Sequence, residues 1–360
     1  MRHGLRVALV LAGLAAGLAG AFPAACSADR ETPGESAAPA TLIPVDVSLG
    51  DVSINKVPFL VAADNGLYEK NGLEVHQFIT PGAAEDARNS GVNVPAEYIR
   101  ENAGAVPIAV GGGAPMMYGH ITRGGPHRVV IATHEAILKS HIIGPSSIAS
   151  ANDLKGKRIG YSGMGAVTHY GALAWARRMG WDPERDVTLV GGGSSLDAVT
   201  QKKVDAALAS VMLTAMAPAR GLHEIVDLAQ YHIPLAGSGI MAERAWLAAN
   251  RDTAARFVKA AVDAVALMKR DRAATNASLV KWFNVTNPAT QEEMYKVVID
   301  LPDKPYPAVE GIEATLALYG PSVPEMQKRR ADEFYDSTIV EELDKSGYLD
   351  AAGRQFTAKQ

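Results

Sequence analysis

The chain has a single cysteine in 360 residues. That excludes an intrachain disulfide framework, a cysteine-rich zinc site and a Cys-x-x-Cys redox motif. It has no excess of positive charge. Its 35 Lys and Arg against 39 Asp and Glu leave −4, so nothing in the balance points to nucleic acid. It has no convincing membrane span: the strongest apolar run, Val7 to Phe22, is shorter than the roughly 20 residues required. Catalytic strings are also missing. His134-Glu135 opens a zinc-protease string but is completed by Leu138 in place of histidine. Gly160-Tyr161-Ser162-Gly163-Met164 has Met164 where a hydrolase nucleophile elbow needs glycine. Gly163-x-Gly165 meets Thr168 where a dinucleotide fingerprint needs its third glycine. His120, His127, His134 and His141 are evenly spaced, but Gly124-Gly125-Pro126 breaks the helix on which they would share a face. No catalytic residue, metal site or cofactor is expected. What remains is an ordinary globular composition, 48% hydrophobic and 21% charged, which is neither disordered nor collagen-like. Its length allows two lobes, each large enough for a core.

The position of the cysteine carries more than its number. Arg2 and Arg6 precede the apolar run, and Pro23-Ala24-Ala25 lead into Cys26. A basic start, a short apolar core and small residues before a cut site describe a secretory signal over 1–25. The stretch before Cys26 resembles a bacterial lipobox, with Pro23 where that pattern has an aliphatic residue. The resemblance implies lipidation of Cys26; a plain secretory signal with an incidental cysteine is the alternative. The following Ala/Ser/Pro/Gly/Glu-rich segment has no apolar periodicity and cannot offset its chain entropy by burial. Residues 26–43 are therefore expected to form a flexible tether.

The rest follows β-α-β grammar twice. Val45 to Leu49 reads as a strand, Pro58 to Asn65 as a helix stopped by Gly66, and Leu73 to Ile79 as a strand. Pro81 to Ala105 is an irregular stretch with a short helix expected at Ala96 to Asn102. Val106 to Val110 and Val129 to Thr133 are further strands. The second run has strands at Arg158 to Tyr161, Val187 to Val190 and Ala206 to Leu208. Helices are expected at Ala166 to Met179 and from Ser194, as cap, to Lys203. Leu235 to Ile240 reads as a return strand. Thr253 to Lys269 is the clearest helix, with Val258, Ala261, Val262, Val265 and Met268 on one face and Asp252 as its expected cap.

Four stretches carry a family resemblance. They are Val57-Pro58-Phe59-Leu60-Val61-Ala62-Ala63-Asp64-Asn65-Gly66-Leu67-Tyr68 with Asn71-Gly72-Leu73-Glu74-Val75; Gly113-Ala114-Pro115; Asp153-Leu154-Lys155-Gly156-Lys157-Arg158-Ile159-Gly160; and Val204-Asp205-Ala206-Ala207. In this order and spacing they resemble the periplasmic substrate-binding proteins of ABC importers. The likeness is to the NMT1/THI5-like branch that binds nitrate, sulfonates, taurine and thiamine precursors. Many relatives have Gly-x-x-Asp before the strand preceding Gly-Ala-Pro; here Asn102-Ala103-Gly104-Ala105 has no Asp. The resemblance implies an α/β, type II periplasmic binding protein fold: two α/β lobes joined by two crossing strands around a cleft. Lobe 1 would comprise 44–138 plus 237–360, and lobe 2 139–236.

In open α/β sheets ligands bind beyond the carboxyl ends of strands, where turns and helix N-termini present N–H groups. The turns placed there nominate Ser53, Asn55, Lys56, Gly113, Ala114, Pro115, His134, Ser162, Gly163, Met164, Thr168, His169 and Ser210 as ligand contacts. The same Ser, Thr and Gly residues also suit plain helix capping. The expected function is capture of a small polar or anionic organic molecule (a sulfonate, carboxylate or thiamine-precursor-like solute) by lobe closure. Delivery would be to an ABC permease in the inner membrane, by a lipid-anchored, periplasmic monomer with no nucleic-acid partner. A sensor that presents its liganded surface to a membrane receptor is the alternative. An enzyme on the same fold, using Ser162 or His169, is a more distant one.

Overall fold

The computed structural model describes residues 41–89, 91–101 and 106–354. Cys26, the signal and nearly all of the tether lie outside them. Among the described residues no helix is long and apolar enough to cross a membrane.

Among the described residues ten strands form two five-stranded sheets. The first holds β1 (Ile43–Ser48), β2 (Leu73–Phe78), β3 (Ile108–Gly111), β4 (Arg128–Ile137) and β10 (Pro234–Glu243), in the order β2-β1-β3-β10-β4. The second holds β5 (His141–Pro145), β6 (Arg158–Tyr161), β7 (Thr188–Gly191), β8 (Ala206–Ala209) and β9 (Leu222–Asp227), in the order β7-β6-β8-β5-β9. Three strands at one side of each sheet run parallel. The fourth in each, β10 or β5, is antiparallel to its neighbours. The two sheets thus share one strand order, which explains why the sequence repeats its grammar without repeating its residues. The chain passes between the sheets twice, from β4 into β5 and from β9 into β10.

One apolar core lies under the first sheet. Val45, Val47, Ile108 and Ile131 meet the helices Val57–Asp64 and Arg251–Arg270 there. Val258, Ala261, Val262, Val265 and Met268 are all buried, as their spacing predicts. The helix is not capped by Asp252, however: Asn250 precedes it, and Asp252 pairs with Arg256 at 2.7 Å, one helical turn on. A second core joins the other face of the first sheet to the second sheet. Ala114, Met117 and Val130 pack with Trp175, Leu208 and Leu235 in it.

Two further expectations change, and one strand is added. The irregular segment is helical at Pro81–Asn89, and Ala96–Tyr98 is a single 3-10 turn. The helix expected from Ser194 is only Leu196–Thr200, capped by Ser195, whose hydroxyl accepts from Ala198 N at 3.1 Å. Ser194 instead donates its hydroxyl to the Leu208 carbonyl. β9 is a strand despite a polar sequence, Leu-His-Glu-Ile-Val-Asp, that gives no clear strand signal.

The first family stretch is a packing device. Asp64, mostly buried, accepts from Ser278 Oγ at 2.6 Å and Trp282 Nε1 at 2.9 Å and pairs with Lys281. It ties the helix Val57–Asp64 to the helix Arg272–Phe283. Asp64→Asn keeps the shape but replaces one acceptor by a donor that faces donors. It is expected to cost about 1–2 kcal/mol in urea unfolding, because hydrogen bonds to a charged group are worth more than neutral ones. No change in stability would show that the three donors find water instead.

Candidate functional site

A cleft of about 520 Å³ lies between the sheets. Its lining comes from where parallel strands end: Ser48 to Asp51 after β1, Gly111 and Gly112 after β3, Ser162 after β6 and Ser210 after β8. An adjoining space reaches Gly192 and Ser194 after β7 and shares Ser162. This is the position that strand geometry assigns to ligands in open α/β sheets.

Seven of the thirteen nominated residues line the cleft: Ser53, Asn55, Lys56, Pro115, Ser162, Thr168 and Ser210. They come from both sheets' turns and are mostly short and neutral. Ser162 N–H donates to Thr168 Oγ1 at 2.9 Å, and the two hydroxyls are 2.7 Å apart. The Ser210 hydroxyl accepts from Leu213 N at 3.4 Å and caps the helix that starts there. Lys56 is not a free cation awaiting an anion. Its side chain is buried, and its ammonium is 3.3 Å from both Asp51 Oδ1 and Asn55 Oδ1.

The other six are placed elsewhere. Gly113 and Ala114 are buried against β10, where a Cβ on Gly113 would come 2.9 Å from Ala236 Cβ. Their neighbours Gly112, Pro115 and Met116 face the cleft instead. Gly163 and Met164 leave the lining because their turn lies on the helix Gly113–Arg123. Arg123 donates to the Met164 carbonyl at 2.9 Å, and the Met164 side chain points out, 51% exposed. His169 is buried between Tyr161 and Tyr319. Its Nδ1 accepts from Gly165 N at 3.2 Å and lies 3.1 Å from the Tyr319 hydroxyl, and burial lowers its pKa. The Ser162 hydroxyl is engaged with Thr168, and the Nδ1 of His169 with Gly165 and Tyr319. His134 is in the first core, edge-on to Phe59 at 5.7 Å, with its pKa pushed down to about 4 by burial.

The residue beside it faces the cleft. Glu135 lines the wall with Ser238, which the sequence reading also missed. A β-bulge is the reason. Met241 and Ile240 of β10 pair with Val130 and Ala132, so β4 has one residue more than its partner at Ile131. Val129, Ile131 and Ala132 all enter the first core, and the alternation shifts by one. His134 then follows the core face and Glu135 the other. Glu135 is opposite Gly237 in β10, where a Cβ would sit 2.8 Å from Glu135 Oε2. Ser238 has φ +46°, a left-handed conformation that is uncommon outside glycine. Its hydroxyl is 3.4 Å from Glu135 Oε2. Burial raises the Glu135 pKa; Lys139, Lys56 and hydrogen bonds from Asn55 and Ser238 oppose that rise.

Two α/β sheets, joined by two connecting segments and presenting short polar groups to a shared cleft, define a solute-binding architecture. The chain belongs to the NMT1/THI5-like family, whose model matches residues 53–274. A Brachyspira hyodysenteriae protein, provisionally described as an ABC transporter periplasmic binding protein, is 25% identical over 244 residues. That match spans 64% of this chain and 67% of the relative. The periplasmic nitrate-binding protein NrtA from Synechocystis PCC 6803 has the same fold, with TM-score 0.65 and 13% identity over 85% of this chain and 89% of that one. So does the periplasmic aliphatic sulphonate-binding protein SsuA from Escherichia coli, with TM-score 0.58 and 16% identity over 81% and 99%.

Proposed function

We propose that the protein is an extracytoplasmic solute-binding protein of an ABC importer. It captures a small polar organic molecule in the cleft and delivers it to a membrane permease. The observation that carries this reading is the cleft itself: about 520 Å³, walled by turns of both sheets and lined mainly by short hydroxyls, an amide and apolar side chains. That is the usual make-up of a small-molecule site. Binding alone suffices as the activity in this reading: the Ser162 hydroxyl is engaged with Thr168, and His169 Nδ1 with Gly165 N. In this reading residues 44–138 plus 237–360 and residues 139–236 are lobes that close about the two crossing segments. Residues 1–25 direct export, and Cys26 and residues 26–43 hold a monomer near the membrane. The periplasmic descriptions of NrtA, SsuA and the Brachyspira relative support that location.

The test is native mass spectrometry of protein purified without denaturation, followed by thermal unfolding with a broad metabolite panel. A retained organic molecule is expected. A ligand at a hundredfold excess over its Kd adds about 2.7 kcal/mol of stability, which raises the midpoint by several degrees. Folded protein that retains nothing and shifts with nothing would overturn the proposal.

A further inference from the structure

Resting on that binding role, we propose that Glu135 is the specificity-determining group of the cleft. It selects an organic solute carrying an N–H head, such as an amine, amidine or amino-heterocycle, joined to a compact apolar portion.

Among the described residues, the charges that line the cleft are Asp51, Lys56, Arg128 and Glu135. Three of them are already engaged by the protein. Lys56 pairs with Asp51 at 3.3 Å, and Arg128 donates to the Val106 carbonyl at 2.7 Å. Lys139, whose charge also reaches Glu135, is held at 2.6 Å by Asp300 and at 2.9 Å by the Asp300 carbonyl. What Glu135 receives is the Asn55 amide and a long contact from Ser238. The network fixes the amide's direction. Asn55 Oδ1 is 2.5 Å from the Ser53 hydroxyl and 3.3 Å from the Lys56 ammonium, so its NH₂ end is the one turned to Glu135. A carboxylate offers about four acceptor positions, so capacity is left over. A carboxylate taken out of water needs donors to fill such positions. An anionic ligand would meet the same carboxylate without them.

The surroundings set the rest of the ligand. A recess of about 100 Å³ opens beside Glu135 and shares Ser53, Asn55 and Ser238 with the cleft. Lys139, Ser140 and Ser210 form part of its remaining wall, but most of that wall is apolar, with Pro58, Leu138, Val211 and Leu301. A donor head at Glu135 therefore puts an attached apolar group against these side chains. Two costs maintain the arrangement. Ser238 holds a left-handed backbone, and the Gly237 position must stay without a side chain to leave room for Oε2. Strain kept at a cleft is expected of a site, not of a surface that merely packs.

The experiment uses calorimetry with probe pairs on one skeleton: benzamidine against benzenesulfonate, and propylamine against 1-propanesulfonate. Wild-type protein is expected to bind the nitrogen member of each pair at least tenfold more tightly. Glu135→Gln should abolish that preference while retaining a cooperative fold, since it removes only a charge. Glu135→Asp, which keeps the charge on a shorter stem, should retain part of it. Equal or tighter binding of the sulfonates, or a preference unchanged in Glu135→Gln, would overturn the inference and leave the binding role intact. If no probe binds, mass spectrometry of the retained ligand decides: one without an N–H donor overturns the inference. Failure to retain any ligand, with no probe bound, removes the binding role and the inference together.

Discussion

Replacing Gly160 by alanine is expected to cost about 3 kcal/mol of folding stability, whereas Gly163→Ala, three residues on, should change it by less than about 0.5 kcal/mol. Both glycines lie in the strand–turn of β6, and neither has a positive φ. They differ in what a side chain would meet. A Cβ on Gly160 would be 2.1 Å from the Gly193 carbonyl oxygen and 2.5 Å from its carbon, whereas Gly163 has nothing within 4 Å. The obstacle at Gly160 is backbone, held by Gly193 N–H donating to Tyr161 O at 3.0 Å and Gly192 N–H to Ser162 O at 3.1 Å. It cannot rotate away as a side chain would. The strand β6 sits inside its sheet, paired on both sides, so the strain spreads to β7 and β8. Urea unfolding of the two variants side by side reads the difference. Equal midpoints would mean that the turn after β7 has room to move, and that its two glycines are not fixed by contact with β6.

The same comparison bears on what the sequence discloses. The family stretches were legible because most of their residues fix the fold. Arg158 and Asp205, from the third and fourth stretches, are the two halves of one ion pair. Asp205 Oδ2 accepts Arg158 N at 2.8 Å and Arg158 Nε at 3.1 Å, and Oδ1 meets Nη2 at 2.8 Å. Arg158 holds the Asp205 carboxyl below its usual range. Gly66 and Gly156 have φ of +64° and +77° and end their turns. Tyr68 is buried in a stack with Phe257 at 5.4 Å. None of these residues lines the cleft. They specify sheets and turns, and carry no information about the ligand.

The cleft was legible only as far as its loops. Turns after parallel strands delivered Ser53, Asn55, Lys56, Ser162, Thr168 and Ser210. The remainder depended on which face a strand residue takes. Reading strict alternation through β4 puts Glu135 with Val129 and Ile131 and turns His134 outward; the bulge at Ile131 reverses both. No local composition signals that extra residue, because its cause is the pairing with β10, about a hundred residues further along the chain. Ser238 was hidden for a related reason. It follows Gly237 in a strand whose neighbours are all buried, and its positive φ shows only once the strand is paired on both sides. Gly163 and Met164 failed differently, because the turn that carries them is claimed by Tyr118 and Arg123 of the first sheet's helix. His169, on the helix Val167–Arg178, is taken into the packing between Tyr161 and Tyr319.

The second large effect is expected at Gly311, in the helix Val309–Tyr319. A Cβ there would be 2.3 Å from the Leu235 carbonyl carbon and 2.4 Å from Ala236 N. The helix therefore rests directly on the backbone of β10 where that strand leaves the crossing segment. Alanine is normally preferred to glycine inside a helix by about 0.5–1 kcal/mol. At Gly119, in the helix Gly113–Arg123, a Cβ meets nothing within 4 Å, and Gly119→Ala should deliver that gain. At Gly311 the sign reverses. The helix or the strand must move by about an ångström, and Gly311→Ala is expected to lose about 3 kcal/mol. The displacement lands on Leu235 and Ala236, next to Gly237 and Ser238. The residual folded protein should therefore also bind more weakly whichever retained ligand native mass spectrometry identifies. Thermal unfolding and titration of the two alanine variants together check both parts. A Gly311→Ala protein as stable as Gly119→Ala would mean that β10 is not held by this helix. A destabilised one with unaltered affinity would separate the packing of the strand from the geometry of its cleft residues.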